Sequence, residues 1–409
     1  MTRVAYLTSC YPAPSHTFIR REIAGVRGHG VNVTTFSVRR PGRDEQLTEV
    51  DQRENERTFY LVPTSAREAV VMAAAHLREF VSNPLAYFRT LRLALSHRVP
   101  GLRSLVWAFL YFAEAILLAS ELKSRKIEHL HNHFANPAAI VGMLASFHCG
   151  SVWSLTLHGI SEFDYPAGLL LKEKLRRADF AACASYFTMS QAMRNCDPRD
   201  WSKFFICRCG IDMDALPGAR DESSSTEGCR IICVGRLSPE KGHLGLLQAV
   251  AKLHSEGVDL SLSLVGDGPQ RQSVVDMIRD LELTARVTVL GQLDEATTLQ
   301  TIRRHDVLVS ASLMEGLPVV LVEAMALGVA ALAPRIAGVP ELIRHDDNGL
   351  LFCPADWDDL ADQLRRLVSD AALRQRLTEV GRQTVMEAFL VEQSAAIMSR
   401  HFSDPHMPN

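Results

Sequence analysis

Strand-like and helix-like runs alternate along nearly the whole chain, and that alternation leaves few folds open. It predicts a doubly wound α/β structure on parallel sheets. In the first half the strand-like runs fall at 4–10, 32–38, 127–131, 153–157 and 180–184, with helix-like runs at 17–27 and in a long block at 66–122. The charged stretch 42–58 has no apolar period and reads as a surface loop. After a polar stretch at 219–228 the alternation restarts. Strands are expected at 230–234, 261–265, 287–290, 307–310 and 330–333, and helices at 244–255, 270–281, 297–304 and 319–327. A chain of 409 residues is too long for one ordinary core. The expected division is 1–205 as one Rossmann-like domain, 206–390 as a second, and 391–409 as a C-terminal helical tail.

Composition narrows the class further. Hydrophobic residues make up 47% and charged residues 22%, which excludes a disordered chain, a collagen-like chain and a small disulfide scaffold. Nine cysteines without a CxxC pair read as reduced thiols. Residues 1–204 carry 25 Lys/Arg against 18 Asp/Glu, a net of +7; the remainder carries 19 against 29, a net of −10. The basic half suits an anionic surface or substrate. The apolar run 104–120 is short for a membrane span, contains Glu114, and reads as a buried or surface-docked helix. Arg3 leads directly into the first strand, so no secretory signal is expected.

Chemistry concentrates where strands end. Glu315 and Glu323 stand eight apart, with Gly316 and Pro318 opening the helix between them. A strand, a Gly/Pro turn and a helix N-terminus together suit an anion, because backbone N–H groups and the helix dipole converge there. Gly235 and Arg236 follow another strand, and Lys241 precedes the next helix. Two cations at the carboxyl edge of a parallel sheet lie where open α/β sheets bind ligands, and Arg grips phosphate bidentately. Gly266 and Gly268 form a GxG without the third glycine of a dinucleotide fingerprint. In the first half His158 closes a strand. His129, His131 and His133 alternate and so share one strand face, but no carboxylate or thiol is spaced to complete a metal set, and no metal is expected.

These segments, in this order, resemble the retaining glycosyltransferases of the GT-B fold, family 4, and within it the colanic acid and exopolysaccharide branch. The likeness runs from YPAPSHTFIRREI at 11–23 through HNHFANPAA, SLTLHGISEFD, VGRLSPEKG and EGLPVVLVEAMALG to NGLLFCPAD at 348–356. It implies two Rossmann-like domains facing across a cleft, whose closure excludes water from the reaction. It also implies transfer of a hexose, with retention, from a nucleotide diphosphate sugar to a saccharide acceptor in surface polysaccharide synthesis; the basic first half and the apolar run 104–120 add the expectation that this acceptor is lipid-linked. Arg236 and Lys241 would neutralise the diphosphate. Glu315 and the backbone from Gly316 through Leu317 and Pro318 to Val319 would hold the sugar and phosphate. Glu323 would bind the ribose, Gln292 and Leu293 would lie at the base, and His158 would approach the donor sugar.

The acceptor would lie beside Ser15, His16 and His133. Here the chain departs from the family, with Tyr11-Pro12-Ala13-Pro14 in place of a glycine-rich loop and His16 where the branch has an acidic residue. No cofactor, metal or nucleic acid is implied, and the location expected is cytoplasmic, with peripheral contact to the inner membrane face. Two rivals share the motifs: a sugar-nucleotide epimerase, and a nucleotide-sugar-binding module without catalysis.

Overall fold

The computed structural model describes residues 2–13, 16–42, 48–164, 167–218, 228–405 and 407. The acceptor candidate Ser15, most of the polar stretch 219–228, and residues 43–47 of the charged stretch lie outside them. The chain divides into two compact units, Met1–Arg208 with Ser394–Asn409, and Cys209–Gln393.

The first unit holds a seven-stranded sheet, all parallel, in the order β3-β2-β1-β4-β5-β6-β7. Its strands are β1 (Arg3–Cys10), β2 (Asn32–Arg39), β3 (Phe59–Tyr60), β4 (His129–His133), β5 (Val152–Leu157), β6 (Phe180–Cys183) and β7 (Phe204–Ile206). The helices in chain order are α1 (Thr17–Gly28), α2 (Glu49–Arg57), α3 (Ala66–Ser82), α4 (Pro84–Ser96), α5 (Leu102–Ser124), α6 (Pro137–Cys149), α7 (Leu171–Arg177) and α8 (Tyr186–Arg194). The helical block expected at 66–122 is three helices. Asn83 caps α4 ahead of Pro84, and the chain breaks again at Pro100-Gly101 before α5.

Helix α2 corrects the reading of 42–58 as a loop. Thr48 and Asp51 form a capping box. The anchor is ionic rather than apolar: Arg20 pairs with Asp51 at 3.2 Å and Arg27 with Glu54 at 2.6 Å, and both carboxylates are buried. Apolar periodicity is blind to such a helix, because its inward face carries charge.

The second unit repeats the plan with six parallel strands in the order β10-β9-β8-β11-β12-β13. They are β8 (Cys229–Val234), β9 (Leu260–Val265), β10 (Val287–Gly291), β11 (Val307–Val309), β12 (Ala330–Pro334) and β13 (Leu350–Phe352). Helices α9 (His243–Ser255), α10 (Arg271–Asp280), α11 (Glu295–Arg303), α12 (Val319–Ala326), α13 (Val339–Leu342), α14 (Trp357–Ser369) and α15 (Ala371–Ala388) cover its faces. The last helix is α16 (Val391–Ser403). Ala395, Met398 and Phe402 are buried against Tyr6 and Phe180, so the segment from Ser394 completes the first unit's core. None of the nine cysteines is in a disulfide.

Candidate active site

Both sheets place their first and fourth strands side by side, with later strands running outward in opposite directions. This is the topological switch point, where open α/β sheets form a ligand crevice beyond the carboxyl ends of the strands. In the second unit the crevice lies beyond β8 and β11. Gly235 and Arg236 leave β8 there, and Arg236 is exposed with no ion pair among the described residues. Beyond β11, Ser310, Ser312 and Glu315 line up: the two serine hydroxyls are 3.2 Å apart, and Ser312 donates to Glu315 Oε1 at 2.6 Å. The same Glu315 oxygen receives Lys241 Nζ at 2.5 Å. Lys241 and Glu315, 74 residues apart, thus meet as a partly buried ion pair beside the N-terminus of α12.

Two glycines make this edge possible. Gly266 has φ +137°, and a Cβ there would stand 2.0 Å from the Gly235 carbonyl oxygen; Gly242 has φ +65°, and its Cβ would meet the Ala311 oxygen at 2.0 Å. The GxG after β9 therefore lets two loops touch rather than cradling a dinucleotide. Gly266 N–H also donates to Gly291 O at 2.8 Å, which brings Gln292 and Leu293 to the same edge. Gly316, Leu317, Pro318 and Val319 form the turn into α12, with Leu317 buried and the Gly316 carbonyl accepting from Gly338 N–H at 2.9 Å. Glu323 lies in α12 and is buried, not solvated as a plain surface residue would be.

In the first unit the switch point lies between β1 and β4, and its groups are mostly buried. His133 Nδ1 and His158 Nε2 are 2.8 Å apart with their rings stacked, and His133 Nε2 lies 3.2 Å from Glu22 Oε1. Tyr6 donates its hydroxyl to the same Glu22 oxygen at 2.9 Å. Burial holds the His158 imidazole well below its ordinary pKa, with the neighbouring His133 and His16 adding to the effect. The loop carrying His158 is fixed by Glu162, which accepts the backbone N–H groups of His158 at 2.6 Å, Gly159 at 2.9 Å and, at closer range, Ala135. His16 packs its ring on Phe134, and Phe134 packs on His158. The sequence reading missed Glu22 and Glu162 as site residues. Both lie inside the segments FIRREI and HGISEFD, so helical and turn spacing from the named histidines was the available signal.

The alternating histidines do share a face, as the period of two predicts. His129 and His131 bond Ser154, and His131 also bonds Thr156, all within 2.9 Å. The carboxylate that sequence spacing failed to find is Glu22, whose ligand atom lies within 4.8 Å of those of His131 and His133. Both ring nitrogens of His131 and of His133 already have hydrogen-bond partners in this cluster.

Two parallel-sheet Rossmann-like units, one with a cationic switch point, define a GT-B α/β protein. Residues 219–384 match the family described as glycosyl transferases group 1. These comparisons mark the chain as a transferase enzyme, with the likeness to group 1 glycosyl transferases carried by its second unit. Among curated relatives, the N-acetyl-alpha-D-glucosaminyl L-malate synthase of Bacillus anthracis is 28% identical over 291 residues, covering 69% of this chain and 76% of that protein. Among solved structures, the sucrose-phosphate synthase of Thermosynechococcus elongatus matches with a TM-score of 0.75 at 18% identity over 99% of both chains. HepE of Anabaena, solved with UDP-glucose, matches with a TM-score of 0.72 at 16% identity over 98% of this chain and all of that one. At these identities the two structures speak to the fold.

Proposed function

We propose that the enzyme moves a hexose from a nucleotide diphosphate sugar to a lipid-linked saccharide, with retention of configuration, in surface polysaccharide synthesis. The observation that carries the donor side is the second unit's switch point, where exposed Arg236 and the Lys241–Glu315 pair flank a helix N-terminus. The leaving group is a nucleoside diphosphate, so the protein's main task is to stabilise charge that grows as the glycosidic bond breaks. Arg236, Lys241 and the amides at Val319 supply positive potential there without a metal. Glu315 keeps Lys241 in place and offers its other oxygen to a sugar hydroxyl. HepE's complex with UDP-glucose supports a nucleotide sugar as the donor class.

Support for a lipid-linked acceptor and for peripheral membrane contact comes from the helices between β3 and β4. Leu77, Val81, Leu85, Phe88, Leu102 and Val106 are exposed on α3, α4 and α5. Within residues 64–112 six arginines face only two acidic residues, Glu68 and Glu79. The second half of α5 is buried in the core, so this helix lies on the unit instead of leaving it. Basic side chains near an anionic leaflet each add about 1 kcal/mol, and an apolar face adds to that without a span.

The donor assignment is tested by thermal unfolding against a panel of nucleotide sugars. A donor at 100 times its dissociation constant should stabilise by about 2.7 kcal/mol. If no nucleotide sugar shifts the transition while free nucleotides also fail, the donor site is misassigned.

A further inference from the structure

Beneath α5 the first unit contains a cavity of about 670 Å³. It runs from His16 and Phe134, at the carboxyl edge of the sheet, to Trp107, Ala108 and Tyr111 on α5. Ile140 on α6 and Leu170 before α7 supply more of its apolar wall. Volume and lining are those of a small-molecule site, apolar with a few polar groups. Its positively charged side chains are Arg98 and Lys174. His97, Arg98 and Lys174 line it with His16, and Glu162 is the carboxylate among its lining residues. Glu162 is already committed to three backbone N–H groups. His97 is 7% exposed, and its Nε2 has no hydrogen-bond partner; neither does the buried Nε of Arg98. A buried polar atom without a partner is destabilising, so two beside one cavity point to a group that satisfies both. The outer face of the same stretch of α5 carries exposed Leu102, Val106, Phe109 and Leu110, so apolar surface continues on the far side of the helix.

We propose that this cavity holds the apolar chain of a phosphate-linked lipid acceptor, with the acidic linkage set against Arg98 and His97. The proposal rests on the reading of the acceptor as lipid-linked, and it assigns the place where that lipid enters the protein. Burial lowers Lys174 only to about 8, so its ammonium stays charged at neutral pH and adds to the positive potential.

The test is a titration of the full chain with dodecyl phosphate below its critical micelle concentration, read by tryptophan fluorescence. A saturable change is expected that disappears in Trp107→Phe. Decyl phosphate should bind roughly 15-fold more weakly, since each methylene is worth about fourfold. Dodecyl maltoside, with a neutral head, should bind at least about tenfold more weakly, and inorganic phosphate should give no signal. Ala108→Phe and Ile140→Trp each fill the cavity from a different wall. Calorimetry, which needs no fluorescent reporter, should show dodecyl phosphate binding lost in whichever variant folds.

Absence of a saturable change in the unaltered protein, or equal binding by a folded filled variant, would overturn the proposal. Equal binding of dodecyl maltoside would remove its acidic half. Sedimentation with anionic vesicles on the same preparations separates this from the broader reading. Vesicle binding together with a failed titration discards the cavity and leaves the lipid-linked acceptor standing. A failed vesicle assay with a successful titration discards membrane contact and leaves the cavity.

Discussion

The two units share one strand order, 3-2-1-4-5-6 counted from the first strand of each, with the first unit adding a seventh. They fill the same switch point with opposite chemistry. The second unit leaves Arg236 exposed and Lys241 partly exposed, so formal positive charge stands at the edge proposed for the donor. The first unit buries imidazoles, a carboxylate and a tyrosine in one hydrogen-bonded cluster. Their crossovers differ as well. One nine-residue helix, α11, joins β10 to β11, whereas α3, α4 and α5 intervene between β3 and β4. A shared topology therefore fixes where ligands bind and leaves open what binds.

The largest expected difference between the units is acid sensitivity. Burial depresses the pKa of His129 to about 3, and pushes His131 and His158 well below 6.5; His16, His76, His97, His148 and His401 are lowered too. All lie in the first unit, and His243, lowered to about 4, stands alone in the second. A histidine depressed in the folded state is protonated more readily when unfolded. Its contribution is full above pH 6.5 and is lost as pH falls from there toward the folded value. Each fully buried imidazole then costs about 1.4 kcal/mol per pH unit. Glu114, raised to about 7 by burial, and Glu162, raised likewise, offset part of this, because they take up protons in the folded state. The excess remains with the histidines. Hydrogen exchange followed from pH 7 to pH 5 should show the first unit losing protection before the second. Simultaneous loss, or loss from the second unit first, would break the contrast.

Next in size is the charge at the second unit. Arg236→Ala or Lys241→Ala should each lower turnover roughly 10²- to 10³-fold, as removal of a preorganised charge-stabilising donor does. Lys241→Ala also strands Glu315, so its loss should exceed that of the double variant Lys241→Ala/Glu315→Gln when binding of free nucleoside diphosphate is compared. A folded Arg236→Ala/Lys241→Ala protein with near-normal transfer would move the donor site elsewhere.

The smallest expected effect is none at all. With cations already in place, activity in excess EDTA should equal the untreated control. Activity that falls and returns with Mg²⁺ or Mn²⁺ would shift attention to Glu22, His131 and His133 in the first unit.

Legibility in the sequence divides along the same line. In the second unit the expected strands at 230–234, 261–265, 287–290, 307–310 and 330–333 each end within one residue of β8 through β12, because apolar runs bounded by Gly and polar turns announce buried parallel strands. Strands β3, β7 and β13, two or three residues long, were not read, although β11, also three residues long, was. Helix α6 escaped for a different reason. It is apolar nearly all round, buried between the sheet and α5, and so shows no amphipathic period.

The candidate residues Arg236, Lys241, Glu315 and His158 stood out because each follows a strand, and strand ends at a parallel sheet's carboxyl edge are where ligands bind. Sequence alone thus settled the alternation, the two sheets and the edge on which the candidate residues sit, since all three follow from local periodicity and chain connectivity. It did not settle which edge residues touch. That Lys241 meets Glu315, that Glu22 reaches His133 from α1, that charged α2 is a helix, and that Phe402 closes the first core are contacts across 27 to nearly 400 residues. Such contacts depend on how the sheets twist and which helix faces inward, and only the folded chain decides that.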